Sequence, residues 1–254
     1  MKKIISILLT LCLLFSSALC FTSCEAFDTP ETMVTKAVAK TATQDSYAGE
    51  IVIQMSMELF GEQIEIQTKS EMKAEGVTGD SAEVEMKTTV NAMGETLQTT
   101  TYMKDGWSYV VMQGEGYKTK NDEGIGSDDT VDSLVKEIPK DLFEGVEIVK
   151  DEQSGERSVT VVIPSEVFAE LYDELVEEIT STMGVELELT VSDATVTISV
   201  KDGLISVYDI AFTMTMDAEG MEMSVDAEAS VTFTQYGGVT VEMPENYESF
   251  TEQK

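Results

Sequence analysis

Residues 221–233 read Met-Glu-Met-Ser-Val-Asp-Ala-Glu-Ala-Ser-Val-Thr-Phe, and this stretch decides the fold class. Met223, Val225, Ala227, Ala229 and Val231 fall at every second position, with Glu222, Asp226 and Glu228 between them. A period of two puts the apolar set on one face of a sheet and the acids on the other, so the spacing predicts a half-buried β-strand. At about 3.4 Å per residue it spans about 44 Å, far more than the common strand of about five or six residues.

The same alternation recurs outward from it in both directions. Ile51, Ile53, Met55, Met57 and Leu59 share one face of a second long strand, with Gln54, Ser56 and Glu58 on the other. Further strands are predicted at 64–71, 84–90, 97–103, 107–112, 146–149, 159–163, 185–191, 196–200, 208–216 and 239–243. Asp105-Gly106 and Asp202-Gly203 supply hairpin turns, because both residues of such a turn tolerate positive φ. Residues 113–127, rich in glycine and acids, read as a loop.

Helical spacing appears where the alternation stops. Thr29 and Pro30 are the N-cap and first position of a helix carrying Met33, Val34, Ala37, Val38 and Thr41. A shorter one carries Val131, Leu134, Val135 and Ile138 and ends at Pro139. The longest spans 165–183, with Val167, Phe168, Leu171, Tyr172, Leu175, Val176, Ile179 and Met183 in one stripe, stopped by Gly184. That stripe is wider than a bundle seam needs, and a curved sheet wrapped around the helix would bury it. The fold class is therefore α+β and β-rich: a long-stranded antiparallel sheet curled as an incomplete β-barrel around two or three helices. A parallel α/β sheet is disfavoured, since its strands would be continuously apolar and separated by helices. Met-Ser-Met-Glu at 55–58 before Gly61 is echoed by Met-Thr-Met-Asp at 214–217 before Gly220. Two related halves explain the echo, and so does the ease with which alternating strands repeat.

The composition narrows function by exclusion. The 254 residues carry 16 Lys+Arg against 48 Asp+Glu, a formal charge of -32, which excludes a nucleic-acid glove. Histidine is absent and the three cysteines lie within the first 24 residues, so the body lacks the commonest general base, nucleophile and metal ligands. No nucleophile-elbow, Walker or dinucleotide glycine pattern is present. No catalytic residue, metal or cofactor is assigned, and the chain is read as non-enzymatic. The pairs Met55 and Met57, Met214 and Met216, and Met221 and Met223 offer soft thioethers that suit Cu(I). They occupy the apolar positions of ordinary alternation with no histidine to assist, so core or lipid-facing packing is preferred. Asn121, Asp122, Asp128, Asp129 and Asp132 do not match a calcium-loop spacing and read as a solvated loop and helix start.

The amino terminus carries an address. Lys2 and Lys3 precede an uncharged apolar run over 4–21, the layout of a bacterial export signal. Left uncleaved, the run is just long enough to span a bilayer, and either outcome places the body outside the cytoplasm. Phe21-Thr22-Ser23-Cys24 looks like a lipobox. That resemblance implies a signal peptide over 1–23, a diacylglyceryl group on Cys24, a short tether over 24–28 and one domain over 29–254. Two acyl chains anchor stably where one does not, so the domain would sit on the extracytoplasmic face of the cell membrane.

The lipobox, the early helix, the methionine-rich strands, Tyr102-Met103-Lys104-Asp105-Gly106-Trp107-Ser108-Tyr109, the helix begun by Pro164 and the closing Val239-Thr240-Val241-Glu242-Met243-Pro244 belong together. As a set they resemble uncharacterised bacterial lipoproteins of the outer-membrane lipoprotein carrier (LolA-like) superfamily, akin to mycobacterial lipid-carrying lipoproteins. The resemblance implies an incomplete barrel over helices with an apolar cavity for acyl chains. It carries over no functional residue by motif. The inward rows place Met55, Met57, Val167, Leu171, Leu175, Phe212, Met214, Met223 and Val225 at such a cavity. The expected function is a carrier or binder of a lipid or other amphiphile. The alternative is an envelope protein-interaction module of the same fold with a closed core.

Overall fold

In the computed structural model, which describes residues 28–59, 62–79, 81–120, 138–168, 188–218 and 221–252, Thr29 opens the first helix as its sequence predicts. The helix is α1 (Pro30–Thr41). The Thr29 hydroxyl accepts from the Thr32 backbone N–H while the Thr32 hydroxyl accepts from that of Thr29, a reciprocal cap with Pro30 at the first turn. Met33, Val34, Ala37 and Val38 form its buried face.

The strands are β1 (Ser46–Leu59), β2 (Glu62–Glu75), β3 (Glu83–Ala92), β4 (Glu95–Lys104), β5 (Trp107–Met112) and β6 (Glu115–Lys120), then β7 (Val149–Lys150) and β8 (Arg157–Ile163). After them come β9 (Glu188–Val191), β10 (Ala194–Lys201), β11 (Leu204–Ala218), β12 (Met221–Tyr236) and β13 (Thr251–Glu252). They form one 13-stranded sheet in the order β13-β6-β5-β4-β3-β2-β1-β12-β11-β10-β8-β7, with β9 paired to β11 beside β10. The sheet is curled and unclosed, and every pairing is antiparallel except that of β13 with β6.

Long alternating runs became long strands. The 221–233 stretch extends to Tyr236, and β1 lies between β12 and β2 in continuous register, Met57 opposite both Val225 and Ile64. One irregularity falls at Ala48 and Gly49, where a Cβ on Gly49 would meet the Thr232 carbonyl oxygen at 2.7 Å. Only glycine lets β1 approach β12 so closely there. The turns at Met93-Gly94, Asp105-Gly106, Gln113-Gly114 and Asp202-Gly203 all have positive φ at both residues. This matches the hand of the strand twist and sets each hairpin's register.

Two readings of the sequence are overturned. Residues 113–127 were expected to be a loop, but Glu115–Lys120 is strand β6, paired to β5 through the Gln113-Gly114 turn. The glycines and acids that suggested a loop instead make a turn and one polar row. Residues 239–243 were expected to be a strand and join no ladder. Their amides bond side chains instead: Val239 N–H donates to the Ser46 hydroxyl at 3.2 Å and Val241 N–H to the Glu75 carboxylate at 2.8 Å. Val239 and Val241 are buried on the face away from α1, and the chain continues past Tyr109, whose ring meets those of Tyr247 and Phe250, to β13.

The helix predicted over 165–183 is described only at 165–168, and the predicted 131–138 helix lies outside the described residues apart from Ile138, which is buried. The leader, Cys24, the tether apart from Asp28, and the candidate calcium-ligand residues over 121–132 also lie outside them. Among the described residues no helix is long and apolar enough to cross a membrane.

Candidate functional site

Register assigns each apolar row to a face. Val196 and Ile198 of β10 lie on the face covered by α1, and their cross-strand partners carry that face along the sheet. It continues through Tyr208, Ile210, Phe212 and Met214 of β11 and Val225 to Val231 of β12. From there it passes to Ile51, Ile53, Met55 and Met57 of β1, then to Ile64 and Ile66 of β2, Val90 of β3 and Leu97 of β4. Polar residues occupy the alternate positions of the same strands.

The two halves of this face differ in cover. Over β8, β10 and β11 it is sealed by α1, by Phe168 and by the 3-10 turn Lys140–Phe143. Val159, Val161, Val196 and Ile198 are buried there, and the Phe168 and Phe212 rings meet edge-on at 4.9 Å. Over β1 to β4 the apolar side chains toward the far end are only half-buried, Ile53, Met55, Met57, Ile64, Ile66 and Val90 among them, whereas Ala74 at the near end is buried. Leu97 is 43% exposed, and Met112 and the turn residue Met93 reach 37% and 81%. An apolar row on a sheet normally packs on something, and a large uncovered patch marks a binding surface.

Six of the expected cavity residues, Met55, Met57, Phe212, Met214, Met223 and Val225, therefore share one face. Val225 is buried, whereas Met55, Met57, Met214 and Met223 are half-buried. Val167 packs against the sealed core, and Leu171 and Leu175 lie outside the described residues. Ile64, Ile66, Val90 and Leu97 were not assigned to the site from sequence, although their alternation was visible. It was the β1–β2–β3–β4 register that brought them beside Met55. A shallow groove lies on the opposite face, lined by Gln54, Thr195, Thr197, Asp209, Glu228 and Ser230. Val52 and Ala211 line it as well, so its wall is mixed, and it is separate from the methionine rows.

The strands define two ends. At the near end lie Ser46, Gly106, Gly203 and Arg157; at the far end lie the Met93-Gly94 and Gln113-Gly114 turns. α1 closes the near end, its Lys40 ammonium donating to the Asp202 carbonyl at 2.5 Å and its Thr41 hydroxyl accepting from Ile205 N–H. The Tyr236 hydroxyl donates to the Ile205 carbonyl at 2.6 Å, and burial raises its pKa well above the ordinary phenol value.

Asp28, where the described chain begins, is tied to the same end. Its side chain is 7% exposed and accepts from Lys36 at 2.6 Å and from Arg157 at 3.2 Å. Burial raises its pKa, but hydrogen bonds and charge from Lys36 and Arg157 outweigh that and hold it below the usual carboxylate value. A depressed carboxylate stabilises fully above its unfolded pKa of about 3.9, and the stabilisation is lost as pH falls through the folded pKa. Asp28→Asn should cost about 1–3 kcal/mol at neutral pH. Denaturant titrations at several pH values should also show a shallower stability loss below about pH 4 than in the parent chain. Equal acid slopes would mean the ion pair does not hold the helix.

Glu85 is the other buried carboxylate, on the opposite face, between Lys87 at 3.0 Å and Lys73 at 3.3 Å. Its alternate position on β3 puts it on the polar face, where its two lysine neighbours pack over it. Among the described residues no group of three or more His, Cys, Asp or Glu is arranged to hold a metal.

Two solved structures align with much of this chain at low identity. LprF from Mycobacterium bovis aligns over 85% of this chain and 96% of its own, at 11% identity and a TM-score of 0.45. A DUF1329 family protein from Desulfovibrio piger aligns over 87% of this chain and 97% of its own, at 10% identity and a TM-score of 0.28. No family model and no curated protein matches the sequence. Likenesses this distant leave function to the chain's own residues.

Proposed function

We propose that the chain is a LolA-like, non-enzymatic lipoprotein of the extracytoplasmic membrane face, one domain over 29–254 anchored through diacylglyceryl Cys24, that holds a lipid or other amphiphile. The half-buried apolar rows of β1 to β4 carry the reading, since Ile53, Met55, Ile64 and Ile66 present hydrocarbon that the α1 core leaves uncovered. Methionine suits a wall that must fit chains of varied length, because its thioether side chain is flexible and polarisable. Asp28 is tied at the near end beside α1, so a tether running to a lipidated Cys24 would bring the bilayer to that end and leave the far end pointing away from it.

Residues 25–254, which contain every described element, can be exported without the lipid anchor and purified without detergent. Organic extraction and mass spectrometry should then recover an amphiphile in near-stoichiometric amount. Repeated recovery of none would overturn the reading and favour the closed-core interaction module.

A further inference from the structure

The ligand's headgroup is legible in how the strands sort their charges. Take the cross-strand pair Val52 and Lys69 as a dividing rung. Every charged residue that the described strands place beyond it, toward the far end, is a carboxylate: Glu95 stands on the α1-side row, and Glu58, Glu65, Glu222, Asp226 and Glu228 stand on the alternate positions of the opposite face. On the strands, the described lysines and the arginine stand on that rung or on the near side of it, and several are paired: Lys69 with Glu50, Lys73 and Lys87 with Glu85, Lys104 with Glu83, and Arg157 with Asp28. Among the described strand residues the near half thus carries both signs and the far half carries carboxylates alone.

The apolar rows open toward that same far half. The α1-side rows of β1 to β6 carry no lysine or arginine among the described residues, and their charged members, such as Glu95 and Glu115, sit at the far rim. Exposed Met93, Leu97 and Met112 stand beside these carboxylates. α1 blocks the near end, so a chain lying along Ile53 and Met55 brings its polar head out among acids. An anionic head there meets repulsion with no lysine or arginine on the described far strands to relieve it, whereas a cationic head meets complementary charge.

We propose that the occupant is a cationic amphiphile, an alkyl chain bearing an ammonium, amine or guanidinium head, held with its chain on the β1 to β4 rows and its head at the far rim. This rests on the amphiphile reading above, and the test separates the two. The full chain in zwitterionic nanodiscs is photolabelled with alkyl-diazirine probes of one chain length carrying a trimethylammonium, a maltoside or a sulfate head. Labelled peptides are located by mass spectrometry. The ammonium probe should label peptides from β1 and β2 about tenfold more than the maltoside probe, with the sulfate probe lowest. The preference should vanish in E58K/E95K/E115K and persist in E152K/E242K/E245K, which changes net charge equally at exposed sites away from the far rim. Equal labelling by all three probes keeps the amphiphile reading and overturns the cationic one. Equal loss in both triple variants reduces the preference to bulk charge and overturns it too. No labelling of β1 and β2 by any probe overturns both readings, as does capture of a basic amphipathic peptide in place of every probe.

Discussion

Phe168→Ala is expected to lower stability by about 3–5 kcal/mol, the usual cost of emptying a fully buried aromatic site. Phe168 is 1% exposed and packs between the sheet and the other core side chains, edge-on to Phe212. It is large, and the β-branched residues around it, Val159, Val161, Val196 and Ile198, have little freedom to move into the space it leaves. In a chain of this size that loss lowers Tm by roughly 10 °C or more, readable by circular dichroism. A drop below about 1 kcal/mol would show that the site collapses on truncation and that the α1 side is not the main core.

Met55→Asp should do the reverse, leaving the fold standing and removing the ligand. Met55 lies between Ala227 and Ile66 on the half-buried side, so the substitution empties little packed volume and Tm should change by only about 2–4 °C, equivalent to about 1 kcal/mol. A carboxylate pressed against an alkyl chain loses its water without gaining a partner, at a cost of several kcal/mol. Each 1.4 kcal/mol is about tenfold in affinity, so extracted amphiphile should fall by about tenfold or more. Unchanged recovery from the variant, beside unchanged Tm, would place the ligand elsewhere. The Phe168 and Met55 variants together separate a face that holds the protein up from a face that holds something else.

Met55 and Phe212, the residue that Phe168 covers, belong to the same continuous set of rows, and sequence periodicity alone could not tell them apart. Alternation showed that Met55 and Phe212 point to the apolar side of their strands, and Thr29, Pro30 and the Asp-Gly turns announced where elements start and reverse. These are local facts, set by neighbours within a few residues. The mistaken loop at 113–127 failed locally as well: Glu115 and Gly116 look like loop residues until the Gln113-Gly114 turn brings them against Met112 and Val111. The mistaken strand at 239–243 alternates correctly, yet its partners are the side chains of Ser46 and Glu75, far away in the chain.

The sequence by itself determined the strand periodicity, the hairpin turns, the α1 cap and the separation of carboxylates from apolar rows. All of these follow from side-chain chemistry at spacings of two to four residues. Tertiary structure alone decided which part of the apolar face is sealed. α1 docks over β10 and β11, Phe168 meets Phe212, and the β1–β2–β3–β4 register carries the same face beyond their reach. The reason is physical: cover depends on contacts between residues from about forty to more than a hundred and sixty positions apart, and no local period records which neighbour will arrive.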